Sequence, residues 1–571
     1  MSKYLVVRFA GEGGHGVDTA YQVLTQPAAR VGYHVQTFAT YPSQITGGPV
    51  WAQARISTEE VLTSGDELDV LVALDRYAYD HHHEELRDGG IVIYNSEEYD
   101  LEGAPNTFGI EIDRLARETG NARASNMIMV GAVGQLASMP QQYFDDFVRA
   151  RYSRGREGDD AIIESNIRAL TMGYEAVAAS GLHVEQMDPP PPLDGERSLV
   201  AGYEAFSMGA IAAGLDTFIG YPISPATTTL VFMEDNLTAE GTAVVQTSSE
   251  IESIAALIGS GYAGKKTMTS TAGPGLSLMG EGLGLAWMAE IPLVVLDVQR
   301  GGPATGLPTK TEQSDLLVAL TPGHGDMTLP IIAPGTITEC FEAGVVSLNW
   351  AERYQGPVIV LSEMSLGERR QDIVRPDVSA VVDERRTVSE GADGSSRYRG
   401  DRITPMPVPG GPGAYVANGS EHDEQGDTTH LSEIHVQMTD RRFSKLALLE
   451  DGSYESDNNT ASVAVMPWGG SKGPTLAAYN TLREQGEELA WYYTIYLNPL
   501  PPALLLELQQ KQLVLVPELN YLGQFSQVLR GLGVNAHSIT QYTGLPFKEQ
   551  VLTAALHERL ASTKTRKLAT A

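Results

Sequence analysis

Three loops hold most of the residues in this chain that could do chemistry. They read "YPISPATTT", "STAGPGLS" and "QRGGPATGLPTKTEQSD", and each is rich in Gly, Pro, Ser and Thr. Hydroxyls and backbone N–H groups at that density suit a small anionic ligand. Apart from Lys310, the one cation in these loops is Arg300, whose planar guanidinium can grip a carboxylate with two hydrogen bonds. In the first loop Pro222 and Pro225 bracket an Ile-Ser pair, a spacing that fits neither ordinary turn chemistry nor a strand interior. A second Gly-rich stretch, "GEGGHG" at 11–16, lies between an apolar run at 3–10 and a helical pattern from Val17 to about Val31. Its G-x-G-G-x-G spacing serves equally as a tight strand-to-helix turn or as a phosphate site at a helix N-terminus. The run His81-His82-His83 suggests metal, yet adjacent residues do not share a helix face, so no metal site is expected from this chain. Cys340 is the only cysteine and sits in a helical pattern as a small core residue. It excludes a disulfide framework, and an iron–sulfur cluster held by this chain alone.

The elements that must position these loops follow from length and periodicity. A chain of 571 residues exceeds what one core can serve, and its profile is that of an α/β protein. The net charge of −32 argues against nucleic acid as a partner. No apolar run approaches the length of a membrane span, and the N-terminus reads as a first strand instead of a signal peptide, which points to the cytoplasm. Residues 1–187 form a first α/β block, with a helical run expected over about 123–150, and a Pro-rich linker follows at 188–196. Residues 197–372 alternate helix and strand in the manner of a doubly wound parallel sheet, with helices expected at 201–214, 226–239, 249–264 and 276–288. Ligands of such sheets sit beyond the carboxyl ends of the strands, where the three loops fall. Residues 373–445 read as an irregular connection, long enough to wrap over another domain or a partner. Residues 446–571 are a further α/β domain with helices expected at 474–486, 501–510 and 524–532, ending in a basic tail.

The loops also carry a resemblance. "GYPISPATT" is similar to the G-Y-P-I-T-P-S-T signature of the α subunits of 2-oxoacid:ferredoxin oxidoreductases, and "TMTSTAGPGLSLMGEGLG", "LDVQRGGPATGLPTKTEQSDL", "GHGD", "EHDEQGDTTH", "PWGGSKGP" and "PELNYLGQF" extend the match. "GEGGHG" and "TYPSQITGGP" resemble the γ domain of that family. The resemblance covers nearly the whole chain. It implies a γ domain fused to two thiamine-enzyme-like α/β domains, one of pyrimidine-binding type and one like the transketolase C-terminal domain. The implied reaction is oxidative decarboxylation of a 2-oxoacid, foremost 2-oxoglutarate, to acyl-CoA and CO2 with reduction of ferredoxin, or its reverse. Pyruvate or another 2-oxoacid is the nearest alternative, and a non-catalytic scaffold subunit is a second.

The resemblance also distributes the parts. No G-D-G…N run stands here for a Mg2+-diphosphate anchor, so a β subunit is implied to bring Mg2+ and a [4Fe-4S] cluster, to share the thiamine diphosphate and to receive ferredoxin, in an α2β2 assembly. Coenzyme A is the implied co-substrate. Carried onto this chain, the substrate-binding residues are Tyr221, Ser224, Arg300 and Thr309, with Pro222 and Pro225 preorganising the loop so that Ser224 faces the substrate carboxylate. The carboxyl group that activates the thiamine pyrimidine is expected after Gln246, where the family has Q-x-E-x-E. Here the stretch is "QTSSEIES", so Ser248 takes the first acidic position, Glu250 is the expected catalytic group and Glu252 the alternative two residues on. Gly13, Gly14 and Gly16, with Thr46, Gly47 and Gly48, are the implied coenzyme A contacts, although His15 replaces the usual Gln and "SQITGG" lacks the usual Glu and Arg.

Overall fold

The computed structural model describes every residue except 1, 41–47, 194, 389–396, 401, 408, 411–414 and 571; the side chains of 122 and 564–570 are also outside the description. The chain divides into two compact units, residues 1–200 with 368–375, and residues 201–367 with 376–571.

The first unit is built on a mixed eight-stranded sheet ordered Thr107–Ile110, Leu86–Asn95, Leu68–Ala73, Tyr4–Glu12, Pro49–Ser57, His34–Thr40, Arg370–Val374, Arg197–Ala201. The four strands from Tyr4–Glu12 outward to Thr107–Ile110 run parallel, whereas Pro49–Ser57 is antiparallel to both of its neighbours. Apolar side chains of the central strands and of the helices Val17–Arg30, Ser125–Leu136 and Asp159–Ala178 make one core. The helical run expected over 123–150 is two helices, Ser125–Leu136 and Gln141–Tyr152, because the chain turns left-handed at Ser138 (φ 53°) and Pro140, which has no N–H to continue a helix, stands immediately before the second.

The second unit holds two sheets on one continuous core. The larger is ordered Tyr496–Asn498, Ile331–Ile332, Pro357–Glu363, Leu293–Gln299, Thr267–Thr271, Thr217–Gly220, Ala243–Gln246, and every pairing in it is parallel except that of the outer strand Tyr496–Asn498. Both central strands, Leu293–Gln299 and Pro357–Glu363, are buried along their whole length, as a sheet covered on both faces requires. The smaller sheet is ordered Glu455–Asp457, Ala490–Tyr493, Val463–Val465, Leu513–Glu518, Ala536–Thr540, with only the first strand antiparallel. The mixed α/β architecture expected of the chain is what the structure has.

The connection of residues 373–445 is less irregular than its composition suggested. It contains the helix Ser432–Ser444, and buried ion pairs tie it down. Arg386 bonds Glu352 through two nitrogens at 2.5 and 2.7 Å. Glu290, in a left-handed conformation at φ 53°, is enclosed by Arg397, Arg441 and Lys445. Among the described residues no helix is long and apolar enough to cross a membrane.

Candidate active site

Four neighbouring parallel strands of the larger sheet end together and deliver the residues singled out above. Thr217–Gly220 leads into Tyr221 and Ser224, Ala243–Gln246 into Glu250, Thr267–Thr271 into the helix Gly273–Met288, and Leu293–Gln299 into Arg300. The third of these differs from expectation. "GPG" opens that helix instead of preceding it, with Pro274 in the first turn, where a missing N–H costs nothing. The helix therefore starts three residues before the expected position 276.

Arg300 is the centre of the arrangement. Its side chain is nearly buried, and its Nη1 donates to the backbone carbonyl of Ser224 at 2.5 Å, while its Nε has no acceptor among the described residues. Burial holds the guanidinium below its usual pKa, against the pull of the Asp315 and Asp297 carboxyls. Arg300 lines a cavity of about 930 Å³ together with Gly273, Ser277, Glu312, Asp315 and Tyr542, and among the described residues it is the one cation in that lining. Tyr521 and Tyr542, with rings 5.1 Å apart edge to face, stand at the same cavity.

Ser224 reaches Arg300 through its carbonyl, so the contact expected of its hydroxyl is not the one that ties the two loops; the residue is exposed, and its hydroxyl has no hydrogen-bond partner among the described residues. Tyr221 is also exposed, and Thr309 is half-buried on the loop that follows Arg300. None of these three lines the cavity. Lys310 makes no side-chain hydrogen bond or ion pair among the described residues, and burial lowers its pKa.

The two candidate carboxyls after Gln246 differ sharply. Glu252 is exposed and folds back on Ser248, accepting from its N–H at 2.8 Å and its hydroxyl at 2.6 Å, which lowers its pKa. Glu250 is 6% exposed and has no hydrogen-bond or ion-pair partner among the described residues. It lies against Gly275, where an added Cβ would fall 2.9 Å from Glu250 Oε1 and 2.1 Å from Thr271 Oγ1. A buried carboxyl with no donor of its own, facing a position that admits no side chain, fits the N1′ side of a thiamine pyrimidine.

Sequence reasoning passed over the carboxyl pair beneath Arg300. Asp297 lies on the strand Leu293–Gln299, opposite Thr271 and Leu361 on the flanking strands, and is fully buried. Among the described residues neither of its oxygens meets an N–H or O–H donor, and Asp315 Oδ2 is equally without one. The group facing Asp297 at bonding range is the Asp315 carboxyl. Burial, then the charge of Asp315, push Asp297 well above the usual carboxylate range, and burial pushes Asp315 up to about 6. The signal available was a lone Asp inside the apolar run "LVVLDVQ".

The walls of this cavity are joined by amide groups. Gln313 is fully buried; its Nε2 donates to the Trp468 carbonyl at 2.8 Å, and its Oε1 accepts from Leu519 N at 3.0 Å. Gln524 likewise donates to Ser314 O at 2.6 Å and accepts from Leu317 N at 3.0 Å. Gly470 packs so closely on the buried Glu363 that a Cβ there would fall 1.6 Å from Glu363 Oε1. These contacts explain "PWGGSKGP" and "PELNYLGQF" as parts of a joint between the two sheets.

In the first unit the Gly-rich turn has the expected strand and helix on either side. Gly14 and Gly16 take φ of 106° and 79°, a region that favours glycine, and nothing lies within 4 Å of where a Gly14 Cβ would be. Gly13 does not fit its expected role, since its N–H already donates to the Gly48 carbonyl at 3.1 Å. That bond does bring the two implied coenzyme A stretches together. Thr46 and Gly47 lie outside the described residues. His15 is 3.8 Å from Asp75, which places an acidic group at the turn. The three adjacent histidines diverge: His81 and His83 stack on Tyr77 and Tyr79, while His82 turns toward Trp51 and Arg8.

Comparison with known proteins completes this picture. A family model described as pyruvate flavodoxin/ferredoxin oxidoreductase, thiamine diphosphate-binding, matches residues 208–441, and one described as pyruvate ferredoxin/flavodoxin oxidoreductase matches residues 6–176. The 2-oxoglutarate oxidoreductase subunit KorA of Mycobacterium tuberculosis is 33% identical over 98% of this chain and 92% of its own length. The chain belongs to the 2-oxoacid:ferredoxin oxidoreductase family. Within that family it is an α subunit with a γ-type domain at its N-terminus, as the resemblance implied. This oxidoreductase chain is also 28% identical to 2-oxoacid:ferredoxin oxidoreductase 1, subunit alpha, of Aeropyrum pernix, over 97% of the chain and 95% of the relative. Among solved structures, the 2-oxoglutarate:ferredoxin oxidoreductase of Magnetococcus marinus, determined with 2-oxoglutarate, coenzyme A and succinyl-CoA bound, superposes with a TM-score of 0.92 at 33% identity, covering 98% of this oxidoreductase chain and 100% of the other.

Proposed function

We propose that this oxidoreductase subunit binds 2-oxoglutarate and, with a β partner, converts it and coenzyme A to succinyl-CoA and CO2 while two electrons pass to ferredoxin, or runs the reverse reaction. The observation that carries the reading is the nearly buried Arg300, with a free Nε, as the single cation of its cavity. A 2-oxoacid must bring its C1 carboxylate into a site partly closed to water, and a guanidinium held in place by the Ser224 carbonyl is a ready partner for it. The hydroxyls of Ser224, Thr309 and Tyr221 stay further candidates from the resemblance alone, since they lie outside the lining of the Arg300 cavity. The choice of 2-oxoglutarate over pyruvate rests on the relatives named above.

Glu250 is the group proposed to face N1′ of the thiamine pyrimidine. Thiamine diphosphate, when bound, supplies the carbon nucleophile for C2 of the acid and accepts the electron pair left when CO2 departs. Glu250 Oε would hold the proton shared with N1′; its burial and lack of any competing donor keep it available for that bond. Glu252 is unsuited, being already spent on Ser248. Mg2+ for the diphosphate and the [4Fe-4S] cluster are assigned to the β subunit, in a cytoplasmic α2β2 assembly. In the first unit, Gly14, Gly16 and Gly48 are proposed to border a phosphate of coenzyme A, with open space at Gly14, where nothing lies within 4 Å of an added Cβ.

The test is coexpression with the β partner, followed by iron and thiamine analysis and an assay of ferredoxin reduction by a panel of 2-oxoacids. The expected result is a brown complex that reduces ferredoxin with 2-oxoglutarate and coenzyme A, from a chain that is colourless alone. Stoichiometric iron in the lone chain would overturn the division of labour, and a preference for pyruvate would reassign the substrate.

A further inference from the structure

We infer that Asp297 and Asp315 share one proton and act as a proton-coupled counter-ion for Arg300, a positioning device that exchanges its negative charge with that of the substrate carboxylate. The inference rests on the proposed role of Arg300 as the carboxylate-binding group.

The geometry leaves few alternatives. Asp297 is fully buried with no donor to either oxygen, and Asp315 Oδ2 has none either. Two ionised carboxylates cannot bond each other, but one proton between them gives a strong hydrogen bond and a net charge of about −1 for the pair. Asp315 is fixed from two sides. Its backbone N–H donates to Gln299 Oε1 at 3.1 Å, and the bare Gly273 opposite would place a Cβ 2.7 Å from Asp315 Oδ2. Arg300 follows the same strand end and feels both acids. Other charged groups on the elements around the pair are Glu312 and Lys310 on the same loop, Glu363 at the end of Pro357–Glu363, Glu250 and the exposed Glu252 at the start of Glu250–Tyr262, and the exposed Glu281 on Gly273–Met288. Of these, Glu312 reaches Asp315 electrostatically and opposes its ionisation.

The chemistry asks for such a device. The carboxylate that Arg300 would bind is the one that leaves as CO2, with its bonding electron pair remaining on the rest of the acid. An arginine with a fixed counter-ion would bind substrate weakly, and one with none would be stranded as a buried cation once CO2 has gone. A pair in which burial raises Asp315 to about 6 meets both conditions. When substrate arrives, the added negative charge raises the pair's affinity for a second proton, which comes from solvent, and Arg300 is released to the substrate. When CO2 departs, that proton returns to solvent and the pair becomes the counter-ion again.

The experiment is the pH profile of kcat/KM for the 2-oxoacid in the assembled enzyme, with coenzyme A and ferredoxin saturating. Between pH 6 and 8 the wild type is expected to lose about 5- to 10-fold, as ionisation of the pair neutralises Arg300. Asp315→Asn, which leaves a single carboxyl and no like-charge neighbour, is expected to flatten that loss to within about twofold, and Asp315→Glu to retain it with a displaced midpoint. A wild-type profile without the loss, or an Asp315→Asn profile that keeps it, overturns the inference. Should Asp315→Asn fail to assemble, Asp297→Asn is read the same way, and an Asp315→Glu midpoint identical to the wild type also overturns it. Arg300→Ala separates the two readings. If it keeps wild-type kcat/KM, the carboxylate assignment itself falls; if it abolishes binding while Asp315→Asn keeps the wild-type slope, only the counter-ion fails.

Discussion

The second unit buries two charge clusters, and they are opposites. Around Glu290, Arg441 donates at 2.9 and 3.2 Å, Lys445 at 3.2 Å, and Arg397 stands 3.8 Å away, all of them at most 2% exposed. Burial alone would raise Glu290, but the three cations pull it down to about 2. Around Arg300 the pairing is incomplete among the described residues, with an Nε lacking an acceptor and three oxygens of Asp297 and Asp315 lacking an N–H or O–H donor. The first cluster is closed and fastens the connection of residues 376–445 to the end of the helix Gly273–Met288. The second is open on a cavity that Arg300 and Asp315 line. Buried charge alone therefore says little about function; the distinguishing mark is whether its hydrogen bonds are filled.

The contrast can be broken by mutation, beginning with the closed cluster. Glu290→Gln strands three buried cations and is expected to cost about 3–5 kcal/mol of stability, read as thermal unfolding of the assembled enzyme, with KM unchanged in whatever folds. A carboxyl held down at about 2 gives its full stabilisation above the ordinary carboxylate range and loses it as pH falls toward 2, so the variant should also lose that acid-side dependence. In the open region, Glu250→Gln should lower kcat by roughly 10²- to 10⁴-fold with thiamine occupancy intact; an equal loss from Glu252→Gln, with Glu250→Gln silent, would move the assignment by two residues.

Arg300→Ala comes next, with a loss of about 2–4 kcal/mol in transition-state binding, or roughly 30- to 700-fold in kcat/KM, at unchanged thermal stability. Arg300→Lys should fall between, because it keeps the charge and loses the fork. Ser224→Ala keeps the carbonyl that holds Arg300, so only the hydroxyl's contact is lost, and a decrease of about tenfold is expected. The smallest effect is one of stability. A carboxyl whose pKa is raised to about 6 in the folded state costs stability as pH rises through that value. Asp315→Asn should therefore raise the melting temperature at pH 8 and leave it nearly unchanged at pH 4. A variant equally destabilised at both would mean that Asp315 belongs with the closed kind of cluster.

Much of this was legible in the residues. Gly, Pro and Thr loops recurring at regular strand ends gave the parallel sheet of the second unit, and "GYPISPATT" with "LDVQRGGP" gave the family and the position of Arg300. The start of the helix at Gly273 was hidden because Pro274 and Gly275 read as loop residues, although Pro is at home in a first helical turn and Gly275 is required by its contact with Glu250. The antiparallel strand Pro49–Ser57 was hidden by its Pro-Gly approach, and the pairing it makes is non-local. The choice between Glu250 and Glu252 was beyond sequence, since it turns on which carboxyl the Ser248 N–H and hydroxyl capture. The Asp297–Asp315 pair is formed by residues 18 positions apart whose encounter only the folded strand end creates.

The joint made by Gln313 bears on how this chain could be recombined. Its side chain spans two segments of the smaller sheet, Trp468 and Leu519, and Asn520 Nδ2 returns a bond to the Gln313 carbonyl at 2.9 Å. Residues 446–571 are thus no interchangeable module. A chimera that grafts them from a relative inherits a working cavity only if the incoming segment offers the same amide partners and a glycine at position 470. A crossover placed after residue 445 would cut no buried strand and still dismantle one wall of the site, whereas crossovers that move residues 300–315 together with 446–571 should keep the amide joint, provided Glu363 still meets a glycine at 470.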